Sequence, residues 1–384
     1  MSHKHKQYTI IMFTMSRQSE WRNGIRNRNY FILQELIKRE DIAQVLAVEY
    51  LPITPKEKTK VFWERVTRYH TFSMKALCKE QKEKFFLCSL ANTRDLTGNL
   101  ARMMSEKLDI NAHDQLIVWS YFPLYVGYYH SFPKAITVFD AVDDWSLHPA
   151  YRRHRQKIRQ NYENLEQTAD CIFTVSQDLR DRLFHKNPKA HWIPNGVDAD
   201  RFAGLQNAPA TEPQVNKKIR IGYIGTIQSR LDFDLMEKVV ALNPDKEFIF
   251  VGPIWKDASV EKMSQFKNVI FTGRIAYDEI YQYLADFSVA IIPHKKTAFT
   301  NSMNPMKMYE YLVAGLPIVS TYSIDGGEKF LSVADTASDF SYAIARALNE
   351  NTDELKKERR AFANLHSWKS RTDEMMEIIT KLNF

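Results

Sequence analysis

Between Val289 and Thr321 the chain spells V-A-I-I-P, a polar loop, N-S-M-N-P-M-K-M-Y-E-Y-L-V-A-G, and then L-P-I-V-S-T. The first run is short, apolar and rich in β-branched residues, as a strand buried on both faces is. Asn304 is predicted to cap a helix, with Pro305 at its first position, where a missing N–H costs nothing. The helix is predicted over Met306 to Ala314, stopped by Gly315 and barred from continuing by Pro317. A second strand, Pro317 to Thr321, completes a β-loop-α-β unit. Strand, crossover helix and strand in this order belong to a parallel sheet, so the fold class is α/β.

The same stretch carries chemistry. Lys307 and Glu310 are three residues apart and share one face within the first two turns of the helix. A helix N-terminus with a lysine in its first turn attracts phosphate. A carboxylate one turn deeper accepts hydrogen bonds from ribose hydroxyls. With Ser302, Asn304 and Met306 in the loop and at the helix start, the segment reads as a clamp for a nucleoside diphosphate.

Length allows two domains of this kind, since 384 residues supply two independent cores. Cys78, Cys88 and Cys171 have no metal-ligand spacing and form no even framework, which predicts a reducing compartment. The apolar run near the N-terminus, Tyr8 to Met12, is too short for a signal-peptide core, and no run approaches a membrane span. A cytoplasmic protein is therefore expected. Its net charge of +7 is unevenly placed. Residues 1–200 hold 30 Lys+Arg against 23 Asp+Glu, and residues 201–384 hold 23 of each. The basic first half fits an anionic acceptor or peripheral contact with an anionic membrane at the inner face of the cell membrane. Nucleic acid is not expected, because no recognised nucleic-acid module accompanies the charge.

In chain order, Tyr8–Thr14 is the predicted first strand, followed by a polar loop in which Arg22, Arg26 and Arg28 cluster. They suit either an anionic acceptor or a solvated surface. Ile42–Tyr50 is a second strand, and residues 52–86 alternate basic and aromatic residues, as an interfacial segment or a self-packed insertion would. Strands at Leu116–Ser120 and Ile136–Phe139 follow, the latter ending in D-A-V-D-D-W. A carboxylate past a strand's carboxyl end can deprotonate an acceptor hydroxyl. Asp143 and Asp144 are the candidates for that base, against a turn or helix-capping role, and the family resemblance described below puts Asp143 first. Residues 152–168 read as a basic helix, Ala169–Ser176 as a strand and residues 203–218 as a polar, proline-bearing linker. The second domain opens with I-R-I-G-Y-I-G-T-I, where Gly222 and Gly225 would let backbone approach a phosphate, and Arg230 is the basic residue of that loop. Asp232-Phe233-Asp234 has the form of a metal-binding triplet but stands before a helical pattern, so capping is expected and no metal site is predicted.

The segment N-P-x-K-x-Y-E-Y-L-x-A-G-x-P-I-V-S resembles the donor-binding segment of GT-B glycosyltransferases of the family 4 type. The likeness is to the bacterial cell-surface polysaccharide branch that includes the teichuronic acid enzymes. The resemblance implies two doubly wound Rossmann-like domains facing across a cleft. It implies an acceptor-binding domain over 1–202, a nucleotide-sugar-binding domain over 219–365, and a final segment, 366–384, that returns to the first domain. The implied reaction is metal-independent transfer of a sugar, from UDP-sugar as donor substrate and with no other cofactor, to a glycan or lipid-linked acceptor. Lys307 would stabilise charge on the leaving group, and Arg274 and Ile275 would flank the uracil. Family members carry a glutamate eight residues before the one matched by Glu310, and here Ser302 stands in its place. The stereochemical outcome therefore stays open: inversion needs a base such as Asp143, and retention needs none. A catalytically silent relative that binds nucleotide or glycan is the alternative.

Overall fold

The computed structural model describes residues 7–49, 59, 62–63, 66–67, 77–82, 84–89, 115–202, 204, 218–276 and 279–382. They fall into two compact units. The first holds the described residues up to Val175, Leu179–Ile193 and those from Thr372 onward; the second holds Ser176–Asp178 and Pro194–Arg371.

The first unit is built on eight strands: β1 (Tyr8–Phe13), β2 (Ile42–Val48), β3 (Leu77–Lys82), β4 (Phe85–Ser89), β5 (Gln115–Ser120), β6 (Ile136–Ala141), β7 (Cys171–Thr174) and β8 (Ala190–Trp192). Their order across the sheet is β3-β4-β2-β1-β5-β6-β7-β8. Every pair is parallel except β3 with β4. All six residues of β1 are buried, which is why its sequence is an unbroken apolar run rather than an alternating one. Strand order reverses between β1 and β5, so the carboxyl ends of those strands flank a crevice of the kind that holds ligands in open α/β sheets. The basic stretch at 152–168 divides in two. A 3₁₀ segment over Pro149–His154 precedes the α-helix Arg155–Thr168, because Tyr151 leaves helical φ/ψ. Asp373, in the final helix Trp368–Thr380, pairs with Arg39 inside this unit.

The second unit has six strands: β9 (Arg220–Ile224), β10 (Glu247–Val251), β11 (Val269–Gly273), β12 (Val289–Ile292), β13 (Ile318–Ser320) and β14 (Leu331–Val333). They lie in the order β11-β10-β9-β12-β13-β14, all parallel. Side chains alternate between two cores, as the strand period of two requires. Ile221, Tyr223, Phe248, Phe250, Val289 and Ile291 join the helices Phe233–Leu242 and Ala337–Asn349 on one side. Ile224, Ile249, Val251, Ala290 and Ile292 join the helix Met306–Val313 on the other. A sheet covered on both faces is the doubly wound arrangement expected from the sequence.

Several predicted features shift. Asn304 does not cap the helix at Met306: Pro305 occupies the cap position with extended backbone and no side-chain cap bond. The reason is local. The Asn304 side chain is engaged elsewhere, with Oδ1 accepting from the Asn195 N–H at 2.9 Å and Nδ2 donating to the Asp325 carbonyl at 3.1 Å. Gly222 does not open a path for phosphate either, because a Cβ there would stand 2.0 Å from the Phe287 ring that fills the space. Asp232 does cap a helix, accepting from the Leu235 N–H at 3.0 Å. The predicted insertion at 52–86 and linker at 203–218 lie largely outside the described residues. Among the described residues, no helix is long and apolar enough to cross a membrane.

Candidate active site

In the second sheet the order reverses between β9 and β12, and the two strands pair only at Val289 with Ile221 and Ala290 with Gly222. Beyond that point the Ile224 N–H donates to the Tyr311 hydroxyl at 2.8 Å instead of to β12. The crevice at this switch point is bounded by the loop after β9, the residues after β12 and the first turn of the Met306–Val313 helix. Of the sequence-predicted residues, Gly225, Arg230, Lys307 and Glu310 lie around it.

Gly225 opens the loop with φ +140°, a conformation that L side chains rarely adopt. Its backbone lies so near Lys307 that a Cβ would fall 3.2 Å from Cε and 3.4 Å from Nζ. Behind it, Gly252 at φ +138° leaves room for the Gly225 carbonyl, which a Cβ would meet at 2.2 Å. Two glycines and a lysine stem are therefore packed against one another with no side chain between them. The Lys307 ammonium sits 4.9 Å from the centre of the Tyr223 ring, whose face attracts a cation by about 1 kcal/mol. Arg230 closes the loop. Its Nε and Nη2 donate to the Gln228 amide oxygen at 3.0 and 2.8 Å once that amide is oriented to accept. The Arg230 carbonyl accepts from the Lys295 N–H at 2.8 Å, tying the loop to the chain after β12.

Burial pulls the Lys307 pKa down to about 7; the neighbouring Arg230 charge pushes the same way, and Glu310 opposes both. Two cationic side chains thus share an enclosed site. Such an arrangement is completed by an anion with more than one charge. Glu310 is buried on the same helix, one turn beyond Lys307.

His294, Tyr223 and Tyr322 escape the sequence reading. His294 lies two residues past β12, fully buried, with Nδ1 3.3 Å from the Tyr322 hydroxyl and its ring against those of Tyr322 and Tyr223. Its pKa is held well below the ordinary imidazole value by burial first, then by Lys307 and Arg230. The one signal available in the sequence is positional: it is the first polar residue after an apolar strand.

The other predicted donor contacts are placed differently. Met306 is half-buried at the first position of the helix. Ser302 is fully buried and its hydroxyl donates to the Phe299 carbonyl at 2.8 Å, closing a short helix rather than offering a charge. Arg274 is exposed after β11, and Ile275 packs at the edge of the core beneath the Met306–Val313 helix.

In the first unit the aspartates at the end of β6 and just past it, Asp140, Asp143 and Asp144, separate into distinct environments. Asp140 is fully buried against Arg28, whose Nε donates to both its oxygens at 3.0 and 2.8 Å. Asp144 is fully buried too. One oxygen accepts from the Ser146 N–H and hydroxyl at 2.9 and 2.6 Å, and the other from Arg182 at 2.6 Å. Asp143 is half-buried, in a turn held by the Tyr162 hydroxyl, which donates to its carbonyl at 3.0 Å.

Residues 218–350 match the glycosyl transferases group 1 family. The second unit of this chain carries a group 1 glycosyltransferase domain. The crevice residues just described, from Gly225 to Glu310, lie within that domain, whose activity class is glycosyl transfer. Over 381 residues the chain is 25% identical to TuaH of Bacillus subtilis (strain 168), named for teichuronic acid biosynthesis, with 93% of this chain and 94% of TuaH covered. Among solved structures it is similar to Anabaena HepE in complex with UDP, at a TM-score of 0.68 and 13% identity, over 97% of this chain and 100% of that one. Sucrose-phosphate synthase from Thermosynechococcus elongatus gives a TM-score of 0.67 at 13% identity over 98% and 99% of the two chains. These neighbours share the fold, the GT-B architecture of two Rossmann-like domains around the group 1 domain.

Proposed function

We propose that the chain transfers a sugar from a UDP-sugar to a glycan or lipid-linked acceptor in the building of a cell-surface polysaccharide. The observation that carries this reading is the packing of Lys307 against Gly225 with Arg230 on the same loop. Two cations within electrostatic reach of one another, at a helix N-terminus and a sheet switch point, suit the diphosphate of a nucleotide sugar. Glu310, a turn deeper, is the ribose contact, and Arg274 and Ile275 stand at the base. The UDP complex of HepE and the name of TuaH support the donor class and the pathway respectively.

As the glycosidic bond breaks, negative charge grows on the leaving diphosphate. Lys307 and Arg230, held near one another by the fold, stabilise it together with the helix N-terminus. The same two cations do the work that a divalent ion does in other transferases, so the reaction is proposed to be metal-independent. Asp143, half-buried just past the carboxyl end of β6, is the proposed base. We place the chain in the cytoplasm, with the basic first unit meeting an anionic acceptor at the membrane surface.

Ser302 favours a second reading, a nucleotide- or glycan-binding relative without turnover, because its buried hydroxyl supplies no acid where family members have one. Incubation with UDP-glucose and other UDP-sugars, with and without EDTA, separates the two. Release of UDP that survives EDTA supports transfer. Binding of UDP without any release from any donor would favour the silent relative.

A further inference from the structure

His294 presents an anomaly that the donor-site reading leaves unexplained. Its ring is fully buried, yet Nε2 has no hydrogen-bond partner among the described residues. An unsatisfied buried polar atom is costly and uncommon, and a retained one calls for a role. A histidine that merely filled the core would be expected to spend both nitrogens on its neighbours. Here Nδ1 faces the Tyr322 hydroxyl at 3.3 Å, and nothing among the described residues answers Nε2. The ring's place is equally telling. It follows β12 across the switch point from the Gly225 loop, and its backbone bridges to Leu231, next to Arg230.

We propose that His294 is a further donor-site residue: with Tyr322 donating to Nδ1, its neutral imidazole offers Nε2–H to the anionic group that Lys307 and Arg230 gather. The inference rests on the donor-site reading above and deepens it. Tyr322 acts as a positioning residue, because it fixes which nitrogen carries the proton and touches no substrate itself. Burial first, and then the charges of Lys307 and Arg230, keep the ring uncharged, so it serves as a hydrogen-bond donor and not as a third cation.

The test uses the full chain with ¹⁵N-labelled histidine and UDP as probe. Long-range ¹H–¹⁵N spectra, with His294 assigned by its loss in His294→Gln, should show the Nε2–H tautomer before UDP is added. Saturation with UDP should then move Nε2 and leave Nδ1 nearly still. In titrations, His294→Leu should weaken UDP binding about ten-fold, the scale of one charge-assisted hydrogen bond, whereas His294→Gln, which keeps an N–H near Nε2, should recover most of it. Tyr322→Phe should mix the tautomers in the spectrum. If UDP binds the wild type, Nε2 stays still and both His294 variants bind as tightly, the inference fails while the donor site stands. If UDP does not bind the wild type at all, the donor-site reading fails and takes the inference with it.

Discussion

At the residue scale, Lys307 concentrates the chemistry of the second unit. Its ammonium is buried beside Arg230 and is favoured by Glu310, with the net result that the pKa falls to about 7. The linkage sign follows. In the unfolded chain the group keeps a proton up to its ordinary pKa of 10.5, so between about 7 and 10.5 the unfolded state binds more protons. This group's penalty on stability is full below pH 7 and is relieved as pH rises through that window. Anion binding acts in the other direction, because a bound diphosphate restores the proton. UDP binding at pH 8 should therefore take up a proton, seen as a dependence of the calorimetric enthalpy on the buffer's ionisation heat. Lys307→Ala should lower turnover by about 100-fold or more, with a melting temperature at or above that of the parent. A parent-like turnover would remove Lys307 from the site. The aspartates of the first unit make a paired prediction. Asp144→Ala should cost about 2–4 kcal/mol in urea unfolding, since it strips Arg182 and Ser146 of their partner. Asp143→Asn should leave stability alone and abolish transfer with UDP binding intact.

At the element scale, the parts that were legible from sequence are those whose signals are local. The apolar runs of β1 and β12 identify buried parallel strands, and Gly315, at φ +81°, ends its helix as a terminal glycine should. Lys307 and Glu310 share a face because the helix period is fixed. What escaped depends on contacts between segments far apart in sequence. Asn304 is a good cap by type, but Asn195 and Asp325 claim its side chain, and neither is visible from the local pattern. Gly222 and Gly225 look alike in I-R-I-G-Y-I-G, yet Phe287 packs on the first and Lys307 on the second. Two substitutions distinguish these roles. Gly222→Ala should cost about 1–3 kcal/mol of stability by displacing the Phe287 ring. Gly225→Ala should chiefly impair UDP binding, as the methyl presses on the Lys307 stem and the backbone loses its φ +140° conformation.

At the scale of the whole molecule, each unit is built on a largely parallel sheet whose strand order reverses once and opens a crevice at the carboxyl ends of the strands, and in the second unit helices cover both faces. In the second unit Gly225, Arg230 and Lys307 border that crevice, with His294 and Tyr223 packed beside them. In the first unit it lies among the carboxyl ends of β1, β5 and β6, where Arg28 and Asp140 lock the loop after β1 to the sheet. The excess positive charge of residues 1–200 belongs with this half of the chain. The division of labour proposed here gives the diphosphate to the second unit and an anionic acceptor to the first.

The central claim is the diphosphate clamp, and calorimetric titration of the purified chain with UDP, GDP and ADP tests it most directly, with Lys307→Ala titrated alongside and EDTA present throughout. The account predicts selective UDP binding by the wild type and at least a ten-fold loss in the variant. Equal binding of UDP by both proteins, or none by the wild type, would contradict it.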